Sequence, residues 1–320
     1  MAVPDGRSVT DVAKEVSKDP AVEFVEPMHI YEAKGLPLAY NDPLFAAQPD
    51  ARLWRLADLH QISTGKGVTV AVIDSGIETT HPDLMGQVAI SRNFVAGRPP
   101  AVEQHGTGVA GIIAAKAGNG VGIVGVAPDA RLMALRACWQ QSSQSAASYC
   151  DSLSLAKALH FAIEGGAQVI NMSLAGPPDA LLSRLLDVAM KRDMAIVAAF
   201  DKNQVDGGFP ASKTGVIAVS DEALAVRAHR VYTAPGRDVP TTQPGGKWNL
   251  VNGSSYSAAH VSGLVALQRA RMTGRHGGAT LIAARADGGP LDACASLLLA
   301  VGHCNCACAR SARVVAEAPH

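Results

Sequence analysis

From Gly67 onward the chain alternates between short runs that are apolar at nearly every position and longer stretches in which apolar residues recur every three or four. The runs VTVAVID (68–74), RLMALRA (131–137), QVINMSL (168–174), AIVAAF (195–200) and VIAVS (216–220) are apolar on both faces, which is how strands buried on both sides read. Helices fit between them at about 106–116, 152–164, 180–192 and 255–272. Strands of this kind separated by helices imply a parallel sheet covered on each face, so the expected class is α/β, a three-layer α/β/α fold with a largely parallel sheet. Ahead of this region, residues 8–18 (SVTDVAKEVSK) can form a short helix and Val22 to Val25 a short strand, followed by Pro27 and a loop rich in Pro and Asn. The pattern predicts a small unit at 1–35, a main domain at 36–275 and a Cys-rich tail at 276–320 without clear period; no internal repeat is visible.

Composition narrows the function. With 320 residues and 48% hydrophobic content, a large core can be buried and wholesale disorder is excluded. Lys+Arg and Asp+Glu balance at 28 each, so nothing argues for a nucleic-acid partner. No apolar run is long enough for a membrane span, and the start MAVPDGRSVTD has neither the basic nor the apolar region of an export signal. The six cysteines nevertheless read as disulfide partners: Cys138 and Cys150 bracket a polar loop, while Cys294, Cys304, Cys306 and Cys308 cluster near the C-terminus. That reading implies a secreted or periplasmic protein whose N-terminus is missing or misassigned. Two alternatives stay open: six free thiols in a cytosolic protein, or a metal site of His303, Cys304, Cys306 and Cys308, although that spacing is not a usual zinc knuckle.

In open α/β sheets ligands sit at the carboxyl ends of strands. Asp74 ends the first apolar run and is followed by Ser75 and Gly76, which turn the chain and leave a carboxylate at the rim; alone it reads equally as a turn or cap residue. His105 opens HGTGVAGIIAA, where glycines permit a tight turn into a small-residue helix. Ser255 lies in NGSSYSAAHVSGLVAL at the start of another such helix, whose free N–H groups and positive end suit a developing oxyanion. A serine there is also an ordinary N-cap. His260 cannot serve Ser255 as a base, because five residues along one helix turn its ring away. Together, a hydroxyl, an imidazole and a carboxylate are what serine hydrolysis requires, and they occur in the order Asp, His, Ser.

The segments AVIDSGIETTHPDL (71–84), HGTGVAGIIAA (105–115), GVAP (125–128), VINMSLAGP (169–177) and GSSYSAAHVSG (253–263) resemble the signature blocks of subtilisin-like (subtilase) serine proteases, over about residues 40–272. The resemblance implies a sheet of about seven strands and an endopeptidase for extended protein substrates, with Asp74 orienting, His105 as general acid and base, and Ser255 as nucleophile. It implies a monomer that needs no cofactor for chemistry. Ser173, Leu174, Ala175 and Gly176 match the edge segment that pairs with an extended peptide, with Ala175 where Gly is usual. DPAVEFVEPMHIYEA (19–33) resembles the last strand of the family's inhibitory propeptide, which would make the chain's own propeptide a partner, released by cleavage between about residues 34 and 45.

The chain also departs from the family. Where an oxyanion Asn is usual it reads VAAFDKNQ (197–204); strict register offers Lys202, and a shift of one offers Asn203. Phe200 and Asp201 match part of the P1 wall, and an acid there would favour basic P1 residues. Ser254, Ala259 and Gly108 stand for the usual Thr, Pro and His. Asp83 and the loop AGNGVGI (117–123), with Asn119 as side-chain ligand, resemble a structural calcium site, chemically apt for a hard cation; a plain surface turn is the alternative. A phosphate loop is excluded because GNGVG follows a helix and precedes a strand. Two other functions compete: a catalytically impaired subtilase acting as a binding or scaffolding module, and an esterase or acyltransferase built on the same triad, disfavoured by the absence of G-x-S-x-G.

Overall fold

The computed structural model describes residues 7–26, 39–142, 147–224, 230–272, 279–285, 288–301 and Cys308. Contacts divide the chain into two units, Met1–Leu38 and Ala39–His320. In the first, helix α1 (Val9–Val16) is capped by Ser8, whose side chain accepts the Asp11 N–H. The strand expected at Val22 to Val25 does not form: an extended segment needs a partner ladder, and the described residues of this unit offer none. Residues 27–33 of the propeptide-like segment lie outside the described residues.

The second unit runs α2 (Pro49–Leu53), α3 (Leu56–Ile62), β1 (Thr69–Asp74), β2 (Val88–Asn93), α4 (Gln104–Ala114), β3 (Arg131–Arg136), β4 (Cys138–Gln140), β5 (Ser148–Cys150), α5 (Ser152–Glu164), β6 (Val169–Met172), α6 (Ala180–Lys191), β7 (Ala195–Ala199), β8 (Ile217–Ser220), β9 (Val231–Thr233), β10 (Val239–Gln243), β11 (Lys247–Val251), α7 (Ser254–Arg269), β12 (Ala283–Arg285), β13 (Gly288–Leu291) and α8 (Ala293–Val301). Among the described residues the main sheet has nine strands in the order β12-β13-β9-β8-β7-β6-β1-β3-β2. All its pairings are parallel except β12 with β13.

The absence of polar alternation in the strands has a direct cause. In β1, Val70 and Val72 enter one core with α4 and α7, while Ala71 and Ile73 enter a second core with α5 and α6. Successive side chains point to opposite faces, and both faces are covered.

The largely parallel sheet counts nine strands among the described residues, and those of 279–285 and 288–301 pack within the main unit. Strand β13 pairs with β9, α8 packs on α7, and Gln268 Nε2 donates to the carbonyls of Thr280 (2.8 Å) and Ser296 (2.6 Å). These added strands are Ala- and Gly-rich, so they carry none of the β-branched signal that marked the others. Cys138 is bonded to Cys150 across the antiparallel β4–β5 hairpin, and Cys294 to Cys308. The second bond removes Cys308 from any thiolate site; His303, Cys304 and Cys306 lie outside the described residues. No helix among the described residues is long and apolar enough to cross a membrane.

Candidate active site

Strand β1 delivers Asp74 to the carboxyl edge of the sheet, in register with Arg136 of β3. His105 is the second residue of α4. Its Nδ1 lies 2.8 Å from Asp74 Oδ1, with side-chain exposures of 16% for His105 and 3% for Asp74. The same carboxylate oxygen accepts the Ser75 N–H at 2.6 Å. Burial disfavours a charged imidazole, but the adjacent Asp74 charge and its hydrogen bond outweigh burial and raise the His105 pKa above its ordinary value. With Nδ1 facing the acid, Nε2 is the nitrogen left to take up or release a proton. The Tyr256 ring packs on the imidazole, centroids 5.6 Å apart, and burial together with the Asp74 charge pushes its phenol pKa upward.

Ser255 sits in the first turn of α7. Gly253 takes the N-cap position with φ of 139° and no capping side chain, a conformation that favours glycine. Its carbonyl accepts the N–H groups of Tyr256 (3.1 Å) and Ser257 (3.4 Å). The amides of Ser254 and Ser255, which precede the first intrahelical donor, have no acceptor within the helix. Ser255 Oγ donates to the Ser173 carbonyl at 3.1 Å, and Ser173 Oγ donates to the Ser255 carbonyl at 2.9 Å. Asn171 is buried behind them, its Oδ1 3.0 Å from Ser173 Oγ and its Nδ2 donating to Ser262 Oγ at 3.0 Å. These bonds fasten α7 to the end of β6.

Asp74, His105 and Ser255 share one cleft of about 620 Å³, whose walls include Ser173 to Gly176, the disulfide-closed hairpin and Phe209. Gly176 is already paired with Phe209, N–H to carbonyl in both directions at 2.8 and 2.9 Å, which leaves the exposed Ala175 as the open part of that edge.

Other expected residues lie elsewhere. Lys202, 54% exposed, pairs with Glu222 at 3.0 Å. Asn203 donates from Nδ2 to Asp201 Oδ1 at 3.1 Å and is exposed. Neither lines the cleft that holds Ser255. Both lie in a local turn, in which Asp201 accepts from the Asn203 amide (2.9 Å) and Gln204 Nε2 (3.0 Å). Asp201 is thereby engaged within its own turn. His260 faces away from Ser255 as expected, its Nδ1 2.8 Å from the Tyr256 carbonyl and its Nε2 3.6 Å from Asp50.

The calcium expectation fails a test of donor chemistry. A cation needs oxygen lone pairs converging on it. Asp83 instead receives N–H donors on both oxygens: Asn119 Nδ2 (3.0 Å) on Oδ1, and the Ile123 amide (3.0 Å) and Trp248 Nε1 (2.7 Å) on Oδ2. Asn119 Oδ1 is engaged by the Val121 N–H at 3.0 Å. These residues do not fit a calcium ion; they fit a carboxylate held by neutral donors.

A cluster that the sequence reading overlooked lies beside the dyad. Glu103 and Arg136 form a two-pronged ion pair at 2.9 and 3.0 Å. The cue was available, since Arg136 ends a buried strand at the same edge as Asp74, and Glu103 stands two residues before His105.

A sequence model of the Subtilase family matches residues 65–290. Among curated proteins the chain is 33% identical to the "Thermophilic serine proteinase" of Bacillus sp. (strain AK1), covering 81% of this chain and 66% of that protein. It is 34% identical to "Subtilisin NAT" of Bacillus subtilis subsp. natto, covering 79% and 67%, and 33% identical to the "Major intracellular serine protease" of Bacillus subtilis (strain 168), covering 63% and 68%. The chain thus spans about two thirds of the length of these relatives. Among solved structures, a protease of Pseudoalteromonas arctica shares the fold with a TM-score of 0.69 at 21% identity, covering 82% of this chain and 99% of that one.

Proposed function

Since the chain belongs to the subtilase family of serine proteases, we propose that it hydrolyses peptide bonds of extended protein segments through an acyl-enzyme on Ser255. The observation that carries this reading is the 2.8 Å contact of His105 Nδ1 with Asp74 in the cleft that also holds Ser255. In this reading His105 Nε2 takes the Ser255 proton as the hydroxyl attacks the carbonyl carbon, and returns it to the leaving amine. Asp74 holds the tautomer and stabilises the imidazolium. The substrate lies along Ser173 to Ala175 as an added strand. The Ser255 hydroxyl, which donates to the Ser173 carbonyl, must turn from it to the imidazole.

The oxyanion would be held by the α7 amides without a side-chain donor. Loss of one such donor costs about 10²–10³ in rate, so the expected enzyme is slow. That same feature favours the second reading, an impaired subtilase that binds extended segments without cleaving them. A fluorophosphonate label separates the two. Labelling at Ser255 that disappears in His105→Ala, together with cleavage of casein, supports the peptidase; an unlabelled protein that retains peptide binding supports the binding module.

The two disulfides support an oxidising, extracytoplasmic setting, although one relative is an intracellular protease by name. The segment 1–35 is proposed as an inhibitory propeptide remnant and a partner of the mature domain. Peptide or protein substrates are the remaining partners, and the mature domain acts as a monomer.

A further inference from the structure

Beyond the three residues of the proposed triad, the hydrogen bonds around it converge on one carboxylate. Glu103 is buried, and its side chain accepts four N–H groups: Arg136 Nε (2.9 Å), Arg136 Nη2 (3.0 Å), the Gly76 amide (2.6 Å) and the Gln140 amide (2.9 Å). The four donors come from three separate segments of the chain. Gly76 lies two residues after Asp74, Arg136 is the strand neighbour of Asp74, and Gln140 belongs to the disulfide-closed hairpin. Glu103 itself precedes α4 and stands two residues before His105.

The backbone closes the same junction. Glu103 N–H donates to the Gly76 carbonyl at 2.9 Å, and Gly106 N–H donates to Ser75 Oγ at 3.0 Å. A Cβ on Gly76 would lie 1.7 Å from the Ala101 carbonyl oxygen, so the two strands of chain meet as closely as backbone allows. The segment after Asp74 is thus pinned to Glu103, and Glu103 lies on the segment that leads into His105.

We propose that Glu103 is a positioning residue: its two-pronged pair with Arg136 and its bond to Gly76 set the mutual orientation of Asp74 and His105. The carboxylate touches neither the reacting atoms nor the imidazole. It acts by fixing where β1 ends and α4 begins, and the planar guanidinium supplies an angle that a point charge does not. This inference rests on the triad reading given above for its catalytic meaning, while the orientation itself is measurable without turnover.

Three forms of the full chain test it: unaltered, Glu103→Gln and Arg136→Lys. Arg136→Lys keeps both charges and loses the fork, so a change there reports geometry rather than net charge. The first readout is the low-field NMR resonance of the His105 Nδ1 proton, assigned by its loss in Asp74→Asn and recorded where circular dichroism shows each variant folded. The second is kcat and KM on a peptide. The expected result is a shifted or exchange-broadened resonance in both variants and a kcat lower by about tenfold with KM nearly unchanged, since orientation is felt in the transition state more than in binding. Folded variants with an unaltered resonance and unaltered kcat overturn the proposal. If Glu103→Gln does not fold, Arg136→Lys decides alone. A resonance that moves in a protein with no turnover in any form upholds the positioning role and removes the peptidase reading instead.

Discussion

Asp83 and Glu103 are both buried carboxylates in the same unit, and burial acts on them with opposite outcomes. Asp83 accepts only neutral N–H groups, from Asn119, Ile123 and Trp248. Burial dominates there and raises its pKa, the three hydrogen bonds offsetting it only in part. Burial pushes Glu103 the same way, yet the Arg136 guanidinium, joined by the Gly76 and Gln140 amides, more than offsets it, and the carboxyl is held below its ordinary value. Neutral dipoles soften the cost of taking a charge out of water; a full opposite charge with two-pronged geometry overcomes it. His105 obeys the second rule, since Asp74 outweighs the effect of burial on the imidazole.

The sharpest way to break this comparison is to delete each acid. Glu103→Ala leaves a buried guanidinium uncompensated and is expected to cost about 3–5 kcal/mol in denaturant unfolding. Asp83→Ala strands neutral donors only, and its expected cost is about 1–3 kcal/mol. Equal losses would show that the partner's charge is irrelevant.

Next in size is the pH profile of turnover. In the proposed mechanism His105 must be neutral to take the Ser255 proton, and its pKa is raised, so the acid limb of kcat/KM is expected above 6.5, falling about tenfold per pH unit below it. The stability contributed by the Asp74 pair has the opposite sign: it is present below 6.5 and fades as pH rises through the folded value. A limb centred below 6.5 would mean that Asp74 does not hold the imidazolium.

A smaller effect sharpens the contrast between the two carboxyls. The Glu103 contribution is present above 4.5 and is lost as pH falls through its lowered folded value. Asp83, whose folded value lies above 3.8, contributes stability below 3.8 that is lost as pH rises through that value. Destabilisation by Glu103→Gln is therefore expected to be larger at neutral than at acid pH, and that by Asp83→Asn larger at acid pH. Thermal unfolding across pH would detect a failure of the two trends to diverge. The smallest expected effect is that of calcium: with Asp83 and Asn119 engaged by N–H donors, calcium or a chelator should move Tm by less than about 1 °C. A substantial rise with calcium would show that the ion displaces Trp248 from Asp83.

Much of this was legible in the chain itself. Runs such as VTVAVID need no tertiary information, because a strand covered on both faces has no polar side to display. Asp74, His105 and Ser255 could be picked out for the same kind of reason: each sits where an apolar element starts or stops, and such edges are where a sheet of this class exposes polar groups. The pairing of Cys138 with Cys150 followed from a short polar loop between them. What only the folded molecule decided were matters of long-range placement. Strands β12 and β13 are written in Ala and Gly and exist because β9 offers an edge. Asp83 finds one of its N–H donors in Trp248, 165 residues away. Lys202 and Asn203, close to an oxyanion position in register, turn out of the cleft because Asp201 gathers its own neighbours into a turn. Local pattern reports what a residue's own segment must bury, whereas the partner that satisfies a buried charge or donor comes from elsewhere in the chain, and only packing selects it.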